Sequence, residues 1–195
     1  MNLEEYDNQD GMKVWLSEDE VQLLLDYYDD TEKHIALALG ARCGLRSEET
    51  IRVAPSHVAD TDAGVMLRVQ GAKGGGYRET PIPLGLATRI RTVGDVRDEP
   101  VDAPIVDSSK RTIRRWVEKA RGALADETGD DYWQYLGYHD LRRTWATQLR
   151  SADVDAMVVC DWGGWNDLGT FLDHYRGTHT PEAQRREREK VGWLV

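Results

Sequence analysis

Three polar side chains in the carboxyl-terminal part of the chain have the types and spacing that phosphate chemistry requires. His139 and Arg142 are three residues apart, so on a helix they would project from one face about a turn apart. An imidazole can exchange a proton, and a guanidinium presents a rigid fork of N–H donors that suits a phosphate in a strained state. Tyr175 follows among polar neighbours, where it is either a surface packing residue or a nucleophile near a cationic pocket. A His–Arg pair on a helix is, taken alone, more often solvated or structural than catalytic.

An arginine and a glutamate lie at a predicted junction between two helices. Gly44 suits the left-handed position that ends a helix, and Ser47 is predicted to cap a short helix over 48–53. Arg46 would then be fixed in this junction, with Glu49 within reach as an orienting carboxylate. The alternative interpretation is an Arg–Glu pair that only caps the helix.

A lysine lies near the tip of a predicted hairpin. Residues 65–69 alternate in polarity like a strand, 71–76 form a glycine-rich turn, and 80–83 return with prolines typical of an edge strand. The turn therefore places Lys73 on a flexible tip, although a surface hairpin with an incidental lysine remains an alternative. The glycines do not open a helix with Gly-Lys-Ser/Thr, which argues against a nucleotide-binding loop.

Most of the remaining chain has helical periodicity, which predicts a mainly α-helical α+β fold with a small antiparallel sheet at one edge. Ser17 begins a capping box for the first helix, and the helix that follows is apolar nearly all round and therefore belongs in the core. Predicted helices cover 17–29, 31–43, 84–96, 109–126 after a Ser108 cap, and 139–151. A further short helix would bury Val154, Met157, Val158 and Trp162 and end at Gly163-Gly164, which exposes Trp165 before a helix from Asp167.

Charge is distributed unevenly. The net charge is −10, and the bases comprise nineteen Arg and six Lys, a composition that suggests adaptation to a high-salt cytoplasm. Acidity on this scale argues against nucleic-acid binding by the chain as a whole. Residues 109–121 reverse the sign, with six bases and one acid, and predict a contact with a phosphate backbone rather than merely a solvated helix face. The candidate DNA-binding residues are Lys110, Arg111, Arg114, Arg115 and Lys119.

Length, apolar runs and cysteine usage argue against several classes of protein. The 195 residues suffice for one domain, and no apolar run reaches membrane-spanning length. The amino terminus lacks the basic and apolar regions of a signal peptide. Cys43 and Cys160 are predicted to be buried free thiols rather than a disulfide or metal pair. We therefore expect a cytoplasmic, nucleoid-associated protein without a metal or cofactor.

These residues together resemble the catalytic domain of the tyrosine recombinases, the phage-type integrases and Xer-like proteins. The similarity covers roughly residues 15–180 and rests on residue types that recur in order. They are Leu45-Arg46-Ser47-Glu48-Glu49, Lys73 on a glycine-rich hairpin, His139-Asp140-Leu141-Arg142, Gly164-Trp165 and Tyr175.

The resemblance implies a site-specific recombinase fold and a role for each of these residues. Tyr175 would attack the scissile phosphate of double-stranded DNA and form a 3′-phosphotyrosyl bond, while Arg46 and Arg142 would bind its non-bridging oxygens. Lys73 would protonate the 5′-hydroxyl leaving group and His139 would assist proton transfer. Trp165 stands where many members have a second His and others a Trp, and Glu49 resembles the acidic residue that orients the site.

The chain departs from the family pattern in two places. Few residues precede the first predicted helix, whereas family members usually carry an amino-terminal helical domain that closes around DNA. Gly71-Ala72-Lys73 also differs from the more usual Gly-Lys-Gly tip. Two alternatives therefore stay open, a DNA-binding or assembly module without autonomous recombination and a topoisomerase-like enzyme that relaxes supercoils.

The expected organisation has three parts. Residues 1–14 are expected to form an acidic, flexible segment, 15–178 the catalytic domain, and 179–195 a charged tail with an apolar tip. That tail is expected either to dock on another recombinase subunit bound to the DNA or to pack on its own domain.

Overall fold

Helices form most of the regular structure in the part of the chain that the computed structural model describes, which is residues 1–6, 10–71, 76–165, 167, 169, 171, 185 and 188–193. The helices are α1 (Glu18–Asp26), α2 (Thr31–Cys43), α3 (Ser47–Thr50), α4 (Leu84–Arg97), α5 (Lys110–Thr128), α6 (Tyr138–Ser151) and α7 (Ala156–Gly163). The strands are β1 (Asn2–Glu5), β2 (Met12–Trp15), β3 (Val58–Thr61), β4 (Gly64–Gln70) and β5 (Tyr77–Pro81), and short 3-10 helices cover Pro55–His57 and Asp131–Tyr135. This confirms the predicted mainly helical fold with a small antiparallel sheet, and the described residues contain two such sheets rather than one.

Helix α2 is the centre of the core, as its apolar surface predicts. Every residue from Ile35 to Ala41 is buried, and α2 packs against α1, α5 and α6. The closest approach is to α6, because a Cβ at Gly40 would lie 2.9 Å from the Tyr138 hydroxyl oxygen. The Tyr138 hydroxyl in turn donates to the Ala36 carbonyl, so the first turn of α6 is held against α2.

The end of α2 requires glycine for two reasons. Gly44 has a φ of +67°, in the left-handed region that side chains disfavour. A Cβ at this position would also lie 2.3 Å from the Trp145 ring on α6. The chain therefore turns sharply at Gly44, directly before the predicted Arg46 junction.

Strands β3, β4 and β5 form an antiparallel sheet in that order. In the β4–β5 pair, Gln70 is opposite Tyr77 and Val69 is opposite Arg78. The turn that joins these two strands contains Lys73, which lies outside the described residues.

The amino-terminal segment differs from the flexible segment expected over 1–14. Strands β1 and β2 pair antiparallel, with Asn2 opposite Trp15 and Glu5 opposite Met12. The hairpin is held by the core, because Val14 is fully buried and β2 packs on α6. Local sequence could not indicate this, since the stabilising partners lie more than a hundred residues away.

Helix starts differ slightly from the prediction. Arg46, not Ser47, occupies the N-cap position of α3, because the Glu49 carboxylate accepts the Arg46 backbone N–H at 2.7 Å. Ser109, not Ser108, caps α5, because its hydroxyl accepts the Thr112 N–H at 3.2 Å.

The predicted buried face of α7 was wrong in part. Met157 and Val158 are exposed, and the buried residues are Val159, Cys160 and Gly163. Asp155 caps the helix, and positions 159, 160 and 163 face the core.

Several other sequence features can be located in the described part of the chain. Cys43 and Cys160 are both buried free thiols. Among the described residues, none of the helices is long and apolar enough to cross a membrane. In the carboxyl-terminal tail, the Trp193 side chain is exposed.

Candidate active site

The junction between α2 and α3 presents Arg46 with its orientation fixed by Glu49. The Glu49 carboxylate accepts the Arg46 backbone N–H through Oε2, and Arg46 Nη1 lies 3.1 Å from Glu49 Oε1. The Arg46 side chain is 36% exposed to solvent, whereas the Glu49 side chain is 2% exposed. A buried carboxylate thus holds a guanidinium that still reaches solvent.

A second arginine, Arg78 on β5, completes the pairing of Glu49. Arg78 Nη1 and Nη2 donate to the two Glu49 oxygens at 2.7 and 2.9 Å, and Nε donates to the Trp162 carbonyl at 2.9 Å. This fork geometry is the one in which guanidinium binds carboxylate most strongly. Arg78 therefore joins the sheet to α3 and to the end of α7.

Glu49 stays ionised because its two arginines offset its burial. Burial alone would raise the pKa of the Glu49 carboxyl. The hydrogen bonds and charge of Arg78, followed by the backbone N–H and charge of Arg46, overcome that effect and lower the pKa to about 2. Two arginine charges thus face one carboxylate charge, which leaves this cluster cationic.

Arg142 lies on α6 and is fully buried. Its Nη1 donates to the Gly44 carbonyl at 2.5 Å and its Nη2 to the Gly163 carbonyl at 2.7 Å. The guanidinium carbon lies 3.9 Å from the centroid of the Trp165 ring, a cation–π contact. Arg142 therefore ties α6 to the end of α2, two residues before Arg46, and to the end of α7.

Trp165 is part of an aromatic cluster. Its ring stacks on Trp145 at 6.2 Å between centroids and meets Phe171 at 4.9 Å. Gly164, with a φ of +67°, turns the chain so that the ring lies over Arg142. Trp165 thus packs on the arginine that the sequence predicts to act beside it.

His139 is exposed in the first turn of α6 and lines a cleft together with Arg46. The cleft has a volume of about 440 Å³. Its wall includes residues of the amino-terminal hairpin, of α5 and of the 3-10 helix before α6, namely Tyr6, Met12, Arg114, Arg121 and Tyr135.

Arg46 also lines a second cleft, of about 470 Å³. Trp165, Arg78 and Tyr77 share this cleft, and so do Gly71 and Gly76 at the base of the β4–β5 turn. Arg46 and its neighbour Glu48 therefore line both clefts, of which one contains His139 and the other Trp165.

The structure thus brings four of the predicted catalytic residues into one region, namely Arg46, His139, Arg142 and Trp165. The other two, Lys73 and Tyr175, lie outside the described residues. Gly71 and Gly76, which precede and follow Lys73 in sequence, line the cleft beside Arg46.

The five α5 residues predicted to bind DNA are all exposed. Of these five, Arg114 lines the cleft that contains His139. Five acidic residues also line the two clefts, which are Glu48, Glu49, Glu118, Asp140 and Asp161. In the described part of the chain, no group of three or more His, Cys, Asp and Glu residues could hold a metal ion.

Sequence reasoning missed Arg78 and the amino-terminal hairpin. The pattern of β5 contained a signal for Arg78, because strand alternation places it on the same face as Thr80, which is fully buried. A charged residue on a buried strand face requires a partner of opposite charge, and the buried Glu49 carboxylate is that partner.

Comparison with known proteins agrees with this geometry. Residues 14–181 match the model of the phage integrase family. Tyrosine recombinase XerA from Pyrococcus furiosus is 27% identical over 177 residues, in an alignment that covers 88% of this chain. The chain spans 60% of the length of that relative.

Solved structures show the same fold. A crystal structure of XerA recombinase matches 92% of this chain and 65% of its own with a TM-score of 0.71 at 20% identity. The catalytic domain of bacteriophage HP1 integrase matches 92% of this chain and 95% of its own with a TM-score of 0.63 at 15% identity. The chain therefore belongs to the phage integrase family, the tyrosine recombinases, and has the fold of their catalytic domain.

Proposed function

We propose that this chain is the catalytic domain of a site-specific DNA recombinase that cleaves and rejoins double-stranded DNA through a 3′-phosphotyrosyl intermediate. The observation that carries the proposal is the position of Arg46. Glu49 holds Arg46 where it lines two clefts, one containing His139 and the other containing Trp165, which stacks on Arg142. Family membership supports DNA as the substrate of this cationic cluster.

The reaction needs positive charge that is already in place when negative charge develops on the phosphate oxygens. Guanidinium forks match that geometry, and a site whose donors are held before substrate binds needs little reorganisation. Arg46 is held by Glu49 and by the α2–α3 junction, and it is partly exposed for a ligand. Arg142 adds a buried positive charge, and it donates to the carbonyl of Gly44, two residues before Arg46.

In the proposed step, the Tyr175 oxygen attacks phosphorus and the bond from phosphorus to the 5′ oxygen breaks. A tyrosine has a pKa near 10 in solution, so it needs cationic neighbours or a base to act at neutral pH. His139 assists the transfer of the tyrosine proton, and Lys73 protonates the departing 5′ oxygen. The reverse reaction by a 5′-hydroxyl restores the phosphodiester without an external energy source.

Helix α5 is proposed to bind the DNA backbone beside the reacting phosphate. Arg114 lines the same cleft as Arg46 and His139, so a duplex seated there would run along α5. Lys110, Arg111, Arg115 and Lys119 are exposed on the same helix and would contact further phosphates. Binding of this type supplies affinity rather than sequence recognition.

Two similar structures support DNA as a partner. One is that of the Tn1549 transposon integrase in complex with transposon right end DNA, at 14% identity and a TM-score of 0.68. Another is that of XerH site-specific recombinase bound to difH substrate in a pre-cleavage complex. We propose that several copies of this chain assemble on DNA in the cytoplasm, with the exposed Trp193 tail as a candidate contact.

The acidic composition leads to a further part of the proposal, adaptation to high salt. A strongly charged surface keeps a protein soluble in molar KCl, and DNA binding by local basic residues would have to persist there. The expected result is that folding, measured by circular dichroism, is retained on raising KCl to molar concentration. Loss of structure on adding KCl would contradict the adaptation.

The test is a trapping assay on nicked suicide substrates. A pool of duplexes with randomised sequence around the nick releases a short strand on cleavage, so a covalent protein–DNA adduct accumulates and survives detergent. The wild-type chain is expected to form adducts, whose sequences would identify the target, and Tyr175→Phe is expected to abolish them while retaining DNA binding. Tyr132→Phe is the matched control, because Tyr132 is exposed outside both clefts.

Adducts from Tyr175→Phe at the wild-type level would remove Tyr175 from its role. The complete absence of adducts from the wild-type chain, with DNA binding intact, would favour a binding or assembly module. Relaxation of supercoiled plasmid without exchange between two sites would favour the topoisomerase-like alternative.

A further inference from the structure

The amino-terminal hairpin contacts α6 through hydrogen bonds that lie one helical turn apart. The Val14 N–H donates to Asp140 Oδ1 at 3.2 Å, and the Leu16 N–H donates to the Thr144 hydroxyl at 3.1 Å. Strand β2 and its extension therefore lie across the first turns of the helix that carries His139 and Arg142.

A buried ion pair within this helix also contacts the hairpin. Arg143 Nη1 donates to Asp140 Oδ1, and Arg143 Nη2 donates to the Tyr6 hydroxyl at 3.1 Å. The guanidinium also lies 5.6 Å from the centroids of the Tyr6 and Trp15 rings, both in the hairpin segment. Asp140 and Arg143 are each only 5% exposed, so the pair is shielded from water and its geometry is held.

The same carboxylate caps the helix beside His139. Asp140 Oδ2 accepts the Gly137 N–H at 2.8 Å, so one side chain receives hydrogen bonds from the helix start, from the hairpin and from Arg143. His139 immediately precedes Asp140 in this turn. Any displacement of Asp140 would rotate the turn and change the direction of the imidazole.

The hairpin also forms part of the cleft itself. Tyr6 and Met12 line the cleft that contains Arg46 and His139. Tyr6 is therefore both a wall of the candidate site and a hydrogen-bond acceptor for Arg143.

We propose that the amino-terminal hairpin contributes to the active site by positioning the first turn of α6. In this proposal, Tyr6 and Arg143 are positioning residues that orient His139 through Asp140. The sequence of contacts runs from the Tyr6 hydroxyl to the Arg143 guanidinium, to the Asp140 carboxylate and to the first turn of α6. The expected effect on DNA cleavage rests on the proposed function, whereas the effect on the His139 ring does not.

The test combines nuclear magnetic resonance with single-turnover cleavage. Tyr6→Phe keeps the aromatic ring and removes the hydroxyl, and Arg143→Lys keeps the charge and removes the fork. Glu4→Gln is the matched control, because Glu4 pairs with Lys13 on the exposed side of the same hairpin. The measurements are the imidazole nitrogen shifts and titration of His139, with His34 and His57 as internal references, together with adduct formation and DNA affinity.

Both variants are expected to shift the His139 signals while His34 and His57 stay unchanged. At saturating DNA the cleavage rate is expected to fall roughly tenfold or more, because small misplacements of a catalytic group are costly, while DNA affinity and melting temperature change little. Glu4→Gln is expected to change neither the His139 signals nor the cleavage rate. An unaltered His139 ring in both variants, or the same shifts in Glu4→Gln, would overturn the proposal.

The ring measurement separates this proposal from the proposed function. A wild-type chain that forms no adduct would contradict recombination, and the His139 signals would still decide whether the hairpin orients the ring.

Discussion

The two arginines predicted to bind one phosphate occupy opposite surroundings. The side chain of Arg46, at the α2–α3 junction, is 36% exposed to solvent and pairs with a buried carboxylate. Arg142, on the inner face of α6, is fully buried and donates to two backbone carbonyls. The same residue type at the same site is thus held at the surface in one case and inside the domain in the other.

This difference indicates that the two arginines have different roles. Arg142 donates to the carbonyl of Gly44, so it helps to hold the turn that presents Arg46 two residues later. Arg46 lines both clefts and is the member of the pair with solvent access. We therefore expect Arg142 to contribute to both folding and charge, and Arg46 to contribute mainly to ligand binding.

The largest expected effect on stability comes from Arg142→Ala. The change leaves the Gly44 and Gly163 carbonyls without these donors and removes the ring contact with Trp165, so we expect the free energy of unfolding to fall by about 4 kcal/mol. Urea denaturation followed by circular dichroism measures this. A loss below about 1 kcal/mol, as expected of a surface residue, would contradict the structural role.

Glu49→Gln is expected to have the next largest effect. The variant leaves Arg78 buried opposite a neutral amide, and breaking a buried pair in this way typically costs about 3 kcal/mol. The matched control is Glu79→Gln, because Glu79 pairs with Arg68 at the surface of the same sheet. Equal melting temperatures for the two variants would show that the buried pair contributes nothing to the stability of the fold.

The same carboxylate predicts a dependence of stability on pH. Its pKa is lowered from 4.5 to about 2, so its contribution is complete above pH 4.5 and is lost as pH falls towards 2. Between pH 7 and pH 3, Glu49 is expected to account for a loss of about 2 kcal/mol in the free energy of unfolding. Glu49→Gln should remove this part of the acid sensitivity, and an unchanged pH profile in that variant would contradict the lowered pKa.

Local sequence signals predicted the helical parts of the fold well. The Ser17 capping box, the apolar surface of α2 and the glycine at position 44 each have a local physical cause, and each was found where predicted. The α2–α3 junction followed from these signals, which is why the contact between Arg46 and Glu49 could be anticipated.

The features that sequence reasoning missed depend on distant partners. Strand β1 has a mixed, charged sequence, and the hairpin is stabilised by Asp140, Arg143 and Thr144 on a helix far along the chain. Arg78 is explained by Glu49, which lies 29 residues earlier. Periodicity within a segment carries no information about such pairs, and the burial of Arg142 could not be read from its spacing to His139 for the same reason.

Arg46→Ala tests the central claim most directly, because Arg46 is the residue whose exposure suits it to bind phosphate. The measurement is adduct formation on the nicked substrate, with DNA affinity and the free energy of unfolding determined for the same samples. Arg42→Ala is the matched control, since Arg42 pairs with Glu18 at the surface near the end of α2. We expect Arg46→Ala to lose under about 1 kcal/mol of stability and yet to form adducts at least roughly 100-fold more slowly, while Arg42→Ala cleaves normally. Adduct formation by Arg46→Ala at the rate of Arg42→Ala would contradict the claim that the Arg46 junction is the catalytic centre.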